Sequence, residues 1–153
     1  MNKKKLIREQ LEVSLQRFEP LRAVNIPKKG WIRAIRDGLG MTARQLAGRL
    51  GVAQQAVARI EKDEQTGSVT IRTMQRIAEG LDCMFVYGFV PDSSLEEAIR
   101  EQAKLIAVKR LTQASQTMLL ENQMLSSLEN KKVLTEIVDE LVNKLPSYLW
   151  DKT

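Results

Sequence analysis

The chain has 153 residues, a formal net charge of +5, 43% hydrophobic and 28% charged residues, the make-up of an ordinary globular protein with room for one domain or a small domain plus an appendage. The absence of histidine and the single cysteine, Cys83, exclude a His/Cys zinc site, catalysis through a histidine base and an internal disulfide, and suit a reducing cytoplasm. No stretch approaches the ~18 uninterrupted apolar residues of a membrane span, and charges at Arg8, Glu9 and Glu12 interrupt the segment after the basic start, so no secretory signal is expected.

In chain order, Ile7, Leu11, Leu15 and Phe18 share one helical face and predict a helix over 3–18. Pro20 and Pro27 bracket a linker, which closes a first segment at 1–26. Helical signals alternate with short turns between Gly30 and Gly80. Residues 83–90 are almost entirely apolar, end at Pro91 and read as one β-strand, placed in a dimerisation segment 83–91. Asp92, Ser93 or Ser94 can cap a further helix, with Glu96 and Glu97 in its first turn and Leu95, Ile99, Ala103, Ile106, Ala114, Met118 and Leu125 on its apolar face. Leu134, Ile137, Val138, Leu141 and Leu145 mark a last helix near 130–145, ended by Pro146. The expected fold is mainly α: a helix-turn-helix domain at 27–82, one β-strand, and a C-terminal helical region at 92–153. Residues 1–90 hold 16 Lys/Arg against 9 Asp/Glu, and 91–153 hold 8 against 10, which suggests a basic surface for phosphate backbones and a second surface with another partner.

The informative stretch is 42–62. Thr42 is a good N-cap for a helix through Leu50, and Gly51 can adopt the positive φ that ends it in a tight turn before the next helix near Ala53. Ala47 is small where two helices must cross closely. Leu46, Leu50, Val52, Val57 and Ile60 point inward, which leaves Gln54, Gln55, Ala58 and Arg59 on the outer face. Gln can donate and accept together, matching adenine N6 and N7, and Arg can donate two parallel bonds to guanine O6 and N7. Gln54, Gln55 and Arg59 are therefore the candidate base readers, and Thr42, Arg44, Arg49 and Lys62 the candidate phosphate contacts. The stretch Leu46-Ala47…Leu50-Gly51-Val52…Gln54…Val57…Arg59-Ile60-Glu61, with Thr73-Met74…Ile77-Ala78…Leu81 beyond it, resembles the helix-turn-helix of phage-repressor-like (XRE) proteins. That resemblance implies operator DNA as partner and base-reading positions at Gln54, Gln55 and Arg59. It departs from the family at Ala43, where a phosphate-bonding Gln is common.

A strand cannot stand alone, because its backbone polar groups need partners. A two-fold mate pairing through Phe85, Val86 and Tyr87 is the simplest solution, and it fits a palindromic operator. Across about residues 10–125 the chain also resembles the mobile mystery protein A family, on Pro27-Lys-Lys-Gly-Trp-Ile-Arg-Ala-Ile-Arg36, Leu81-Asp-Cys, Val86-Tyr87…Val90-Pro91, Ser94-Leu-Glu-Glu97 and Thr117-Met-Leu-Leu-Glu121. This resemblance implies a Fic-domain toxin as partner, with the present chain as its antitoxin. Fic antitoxins carry a helix with Ser/Thr-x-x-x-Glu-Gly/Asn, and Thr117, Glu121 and Asn122 fit that pattern; such a glutamate occupies the arginine that should hold the ATP γ-phosphate. The alternative is a stand-alone repressor of a mobile element. No enzymatic activity, cofactor, metal or membrane is expected.

Overall fold

A computed structural model describes residues 2–120 and 127–152. Among them are seven α-helices: α1 (Lys3–Gln16), α2 (Trp31–Gly38), α3 (Ala43–Leu50), α4 (Gln54–Thr66), α5 (Ile71–Gly80), α6 (Leu95–Leu120) and α7 (Ser127–Lys144). Short 3-10 helices occupy Glu19–Ala23 and Ser147–Trp150. The chain forms two compact units, one made of Pro20–Gly88 and the other of Met1–Glu19 with Phe89–Thr153.

The Pro20–Gly88 unit is built from α2 to α5 around Ile32, Leu46, Ala47, Val57, Met74, Ile77 and Leu81, with Leu50, Val52 and Ile60 packed against that core. These positions recur at helical spacing, so each short helix buries one stripe and none is stable without its neighbours. Leu46 and Val57 are completely excluded from solvent. Close approach is also needed between α5 and α3: a Cβ on Gly80 would meet Leu50 Cδ2 at 2.8 Å.

The entry to α2 uses a cap borrowed from α4. Gly30 has no side chain to offer, and Glu64 accepts from the backbone N–H groups of Trp31 (2.7 Å) and Ile32 (2.9 Å). Two of the orphan donors at the helix start are thus satisfied by one carboxylate. Gly30 sits at φ +85°, and a Cβ there would lie 2.7 Å from Glu64 Oε1. Gly30→Ala combines backbone strain with displacement of the cap and is expected to destabilise the unit by about 1–3 kcal/mol. Urea unfolding followed by circular dichroism measures it, and a change within a few tenths of a kcal/mol would refute this role for Gly30.

The second unit packs α6 against α7. Ala103 and Ala107, four residues apart and fully buried, let α7 approach closely with Val138, Leu141 and Val142, and Leu149 of the terminal 3-10 helix closes the cluster. Gln102 Nε2 donates to the Leu149 carbonyl at 2.8 Å, and the Arg110 guanidinium both donates to Tyr148 Oη at 2.7 Å and lies over its ring. Ser94 caps α6 by accepting from the Glu97 N–H at 3.0 Å, and Glu12 of α1 accepts from the Leu95 N–H at the same helix start.

Two expectations are corrected. Residues 83–90 are not a β-strand, and no strand occurs among the described residues. A strand exists only by virtue of a ladder partner. The Cys83 N–H bonds the Ala78 carbonyl at 2.8 Å, but from Met84 to Val90 the backbone makes no backbone hydrogen bond among the described residues. The fold of the chain is therefore mainly α without the strand. The stripe expected on α1 is also not its buried face: Ile7 and Leu11 are exposed, Leu15 and Phe18 are half-buried, and the residue α1 buries is Arg8.

Candidate nucleic-acid interface

Helix α3 starts in a reciprocal capping box. Thr42 Oγ1 accepts from the Gln45 N–H at 3.1 Å, and Gln45 Oε1 accepts from the Thr42 N–H at 2.8 Å. Position 43, an alanine, contributes no side-chain bond, and Gln45 carries out the local role of a polar residue in this first turn. The helix ends where Gly51 takes the left-handed conformation, φ 67° and ψ 34°, and α4 begins at Gln54. The sequence expectation for both boundaries matches this geometry.

The orientation of α4 is locked from behind. Glu61 faces α2, where its carboxylate takes a two-pronged hydrogen bond from Arg36, Nε to Oε1 at 2.7 Å and Nη2 to Oε2 at 3.3 Å. Both side chains are almost entirely removed from solvent, at 11% and 10% exposure. Arg36 Nη1 also donates to the Met41 carbonyl at 3.0 Å, fixing the turn that leads into α3. The Glu61 hydrogen bond pushes the Arg36 guanidinium pKa above its ordinary value, which keeps the guanidinium charged. Glu64, one turn on, is consumed by the start of α2. Two acidic groups of α4 are thus turned to the inside.

What α4 leaves outside is polar and basic. Gln54, Gln55, Ala58, Arg59 and Lys62 are exposed. Gln55, Arg59 and Lys62 follow one another at spacings of four and three and so share a face. No hydrogen bond or ion pair among the described residues engages Gln54, Gln55, Arg59, Lys62 or Arg44. Their donors are available to an external ligand. Ala53, the residue before α4, makes no side-chain cap, so the first N–H groups of the helix also open beside Gln54 and Gln55.

Not every residue singled out for phosphate contact is equally placed. Arg44 and Thr42 are exposed at the start of α3, and Lys62 lies on the outer face of α4. Arg49 is committed elsewhere: its Nε donates to the Gly80 carbonyl at 2.7 Å and its Nη2 to Asp82 Oδ1 at 3.0 Å, tying α3 to the end of α5. Phe85 packs against the core while Val86 and Tyr87 are exposed; the Phe85 and Tyr87 rings stack with centroids 6.0 Å apart. Thr117 lies on α6, whereas Glu121 and Asn122 lie outside the described residues. The Arg36–Glu61 pair and the Glu64 cap were not found by sequence reasoning. The partners are 25 and about 32 residues apart, and their only trace is acidic residues at an i, i+3 spacing on the inner side of α4.

Among the described residues no cluster of His, Cys, Asp and Glu has the make-up of a metal site, and no helix is long and apolar enough to cross a membrane. Neither the curated proteins nor the solved structures contain a match to the chain. Residues 32–86 match the family described as helix-turn-helix. With α3 and α4 joined through a left-handed Gly51 and supported by α2 and α5, this segment is an XRE-type helix-turn-helix domain, the kind that DNA-binding transcription regulators carry.

Proposed function

We propose that the protein is a dimeric, sequence-specific repressor that reads a palindromic operator with α4 and serves as the antitoxin of a Fic-domain AMP-transferase. The observation that carries the DNA reading is the division of α4 into two faces. Glu61 is paired with Arg36 and Glu64 accepts from the backbone at the start of α2, while Gln54, Gln55, Arg59 and Lys62 stand outside, without partners among the described residues. Gln54 and Gln55 at the start of the helix reach base edges, with Arg59 one turn on; Thr42, Arg44 and Lys62 hold phosphates. Arg49 contributes through the remaining donors of its guanidinium or not at all. A second copy supplies the other half-site, with Val86 and Tyr87 on the contact surface. The chain itself takes no cofactor and performs no catalytic step.

The antitoxin reading rests on the resemblance to the mobile mystery protein A family and on the Thr117-to-Asn122 pattern. It is also supported by the two-unit organisation: α6 and α7 have a core of their own, separate from the one that supports α4, so a partner can be held by one unit while the other holds DNA. In this reading Glu121 pairs with the toxin arginine that binds the ATP γ-phosphate. Glu121→Gly is expected to leave the toxin bound but restore nucleotide transfer, with operator binding unchanged. The assay is AMP transfer by the purified complex; equal inhibition by wild type and variant would refute the mechanism. A chain that represses its promoter but captures no Fic protein would be a stand-alone repressor.

A further inference from the structure

We infer that a second copy of this chain seats itself in an apolar groove of the Pro20–Gly88 unit, lined by the linker before α2 and by the segment after α5. This rests on the dimer reading above and adds the location of the interface, including a lining segment that the sequence pattern did not indicate. The groove has a volume of about 480 Å³. It is lined by Leu21, Val24 and Ile26 before α2, by Trp31 at the start of α2, and by Met84 and Val86 after α5.

Three observations select a second copy as the occupant. The first is exposure. Ile26 is 74% exposed, Met84 82% and Val86 62%, and Leu21, Val24 and Trp31 are also exposed. These side chains line one groove and leave its apolar surface uncovered, the kind of patch that marks an interaction site. The second is charge. No Lys, Arg, Asp or Glu lines the groove, so two copies whose first 90 residues are net basic can meet there without opposing like charges. That same lack of polar groups disfavours a small ligand, which needs a few donors or acceptors to fix its orientation. The third is position. The groove is lined from α2, α5 and the two flanking segments, and none of Gln54, Gln55, Arg59 or Lys62 belongs to it. An interface there leaves both reading faces free, and Met84 to Val86 can meet the linker of the partner in an isologous pair.

Trp31 reports directly on the groove. The only other tryptophan is Trp150, which is exposed in the other unit and is replaced by phenylalanine for the measurement. Sedimentation and Trp31 emission are followed over the same protein concentrations, without DNA. The expected result is a monomer–dimer equilibrium in which Trp31 emission moves to shorter wavelength over the concentration range where dimers form. Ile26→Glu, at a side chain too exposed to matter for folding, is expected to weaken the dimer about 100-fold with an unchanged helical spectrum. A dimer that forms with constant Trp31 emission and tolerates Ile26→Glu would overturn the groove while leaving the dimer reading standing. A chain that stays monomeric at all concentrations and on operator DNA would overturn the dimer reading itself. Concentration-independent emission at short wavelength, reversed by solvent extraction, would assign the groove to an apolar small molecule and overturn the inference.

Discussion

Glu61→Ala is expected to unfold the helix-turn-helix domain well below the temperature at which the wild type melts. The substitution leaves the Arg36 guanidinium in a site where it is only 11% exposed, with the Met41 carbonyl and the surface carboxylate of Asp37 as remaining partners. Removing one member of a buried pair costs about 3–5 kcal/mol, because the other charge stays desolvated. For a domain of this size that is a fall of roughly 12 °C or more in Tm. Replacing both residues by methionine removes the stranded charge and is expected to recover most of the loss. Thermal denaturation of the two variants beside the wild type decides the matter. A Glu61→Ala protein within about 1 kcal/mol of wild type would show that the pair does not hold α4 in place.

Arg59→Ala is the second large effect, this time on DNA. Its guanidinium is exposed one turn beyond Gln55 and bonded to nothing else among the described residues, so truncation leaves no buried group unpaired and the stability of the fold is expected to change little. The lost contact is a bidentate pair to a guanine edge, worth about 1–3 kcal/mol per half-site, and preference at that base pair should relax. Lys62→Ala gives the contrasting signature: affinity falls on all sequences alike, and the salt dependence becomes shallower by about one ion per site. Competition binding at fixed salt, against operators substituted one base pair at a time, separates the two. Unchanged base preference in Arg59→Ala would remove this residue from the reading surface.

Much of the domain was legible because its signals are local. Thr42, Gly51 and the apolar spacing of Leu46, Leu50, Val57 and Ile60 each constrain a few neighbouring residues, and together they dictate the helices, the turn and the outer face of α4. The Leu134-to-Leu145 stripe likewise marked the buried side of α7. Long-range pairing was not legible. Nothing near Glu61 or Glu64 in sequence points to Arg36 or to the N–H groups of Trp31 and Ile32, and the service of Arg49 to Gly80 and Asp82 depends on how α5 ends. Residues 83–90 show the limit of composition. Apolar β-formers predict a strand, but the pairing partner that makes a strand is a property of the whole fold, and Phe85 instead joins the core while its neighbours face out. On α1 the periodicity was sound but the packing was not, since the α1 residue buried in the fold is Arg8.

The central claim, that α4 reads a palindromic operator, is tested most directly by selecting randomised duplex DNA with the purified full-length protein. The expected outcome is an inverted repeat, its half-sites centred about one helical turn (~10 bp) or a multiple of it apart. The selected DNA should bind at least ~10³-fold tighter than a scrambled duplex at the same salt, and the same selection with Arg59→Ala should lose one base preference in each half. A pool without consensus, or a consensus untouched by substitution of Gln54, Gln55 and Arg59, would contradict the assignment of α4 as the reading helix.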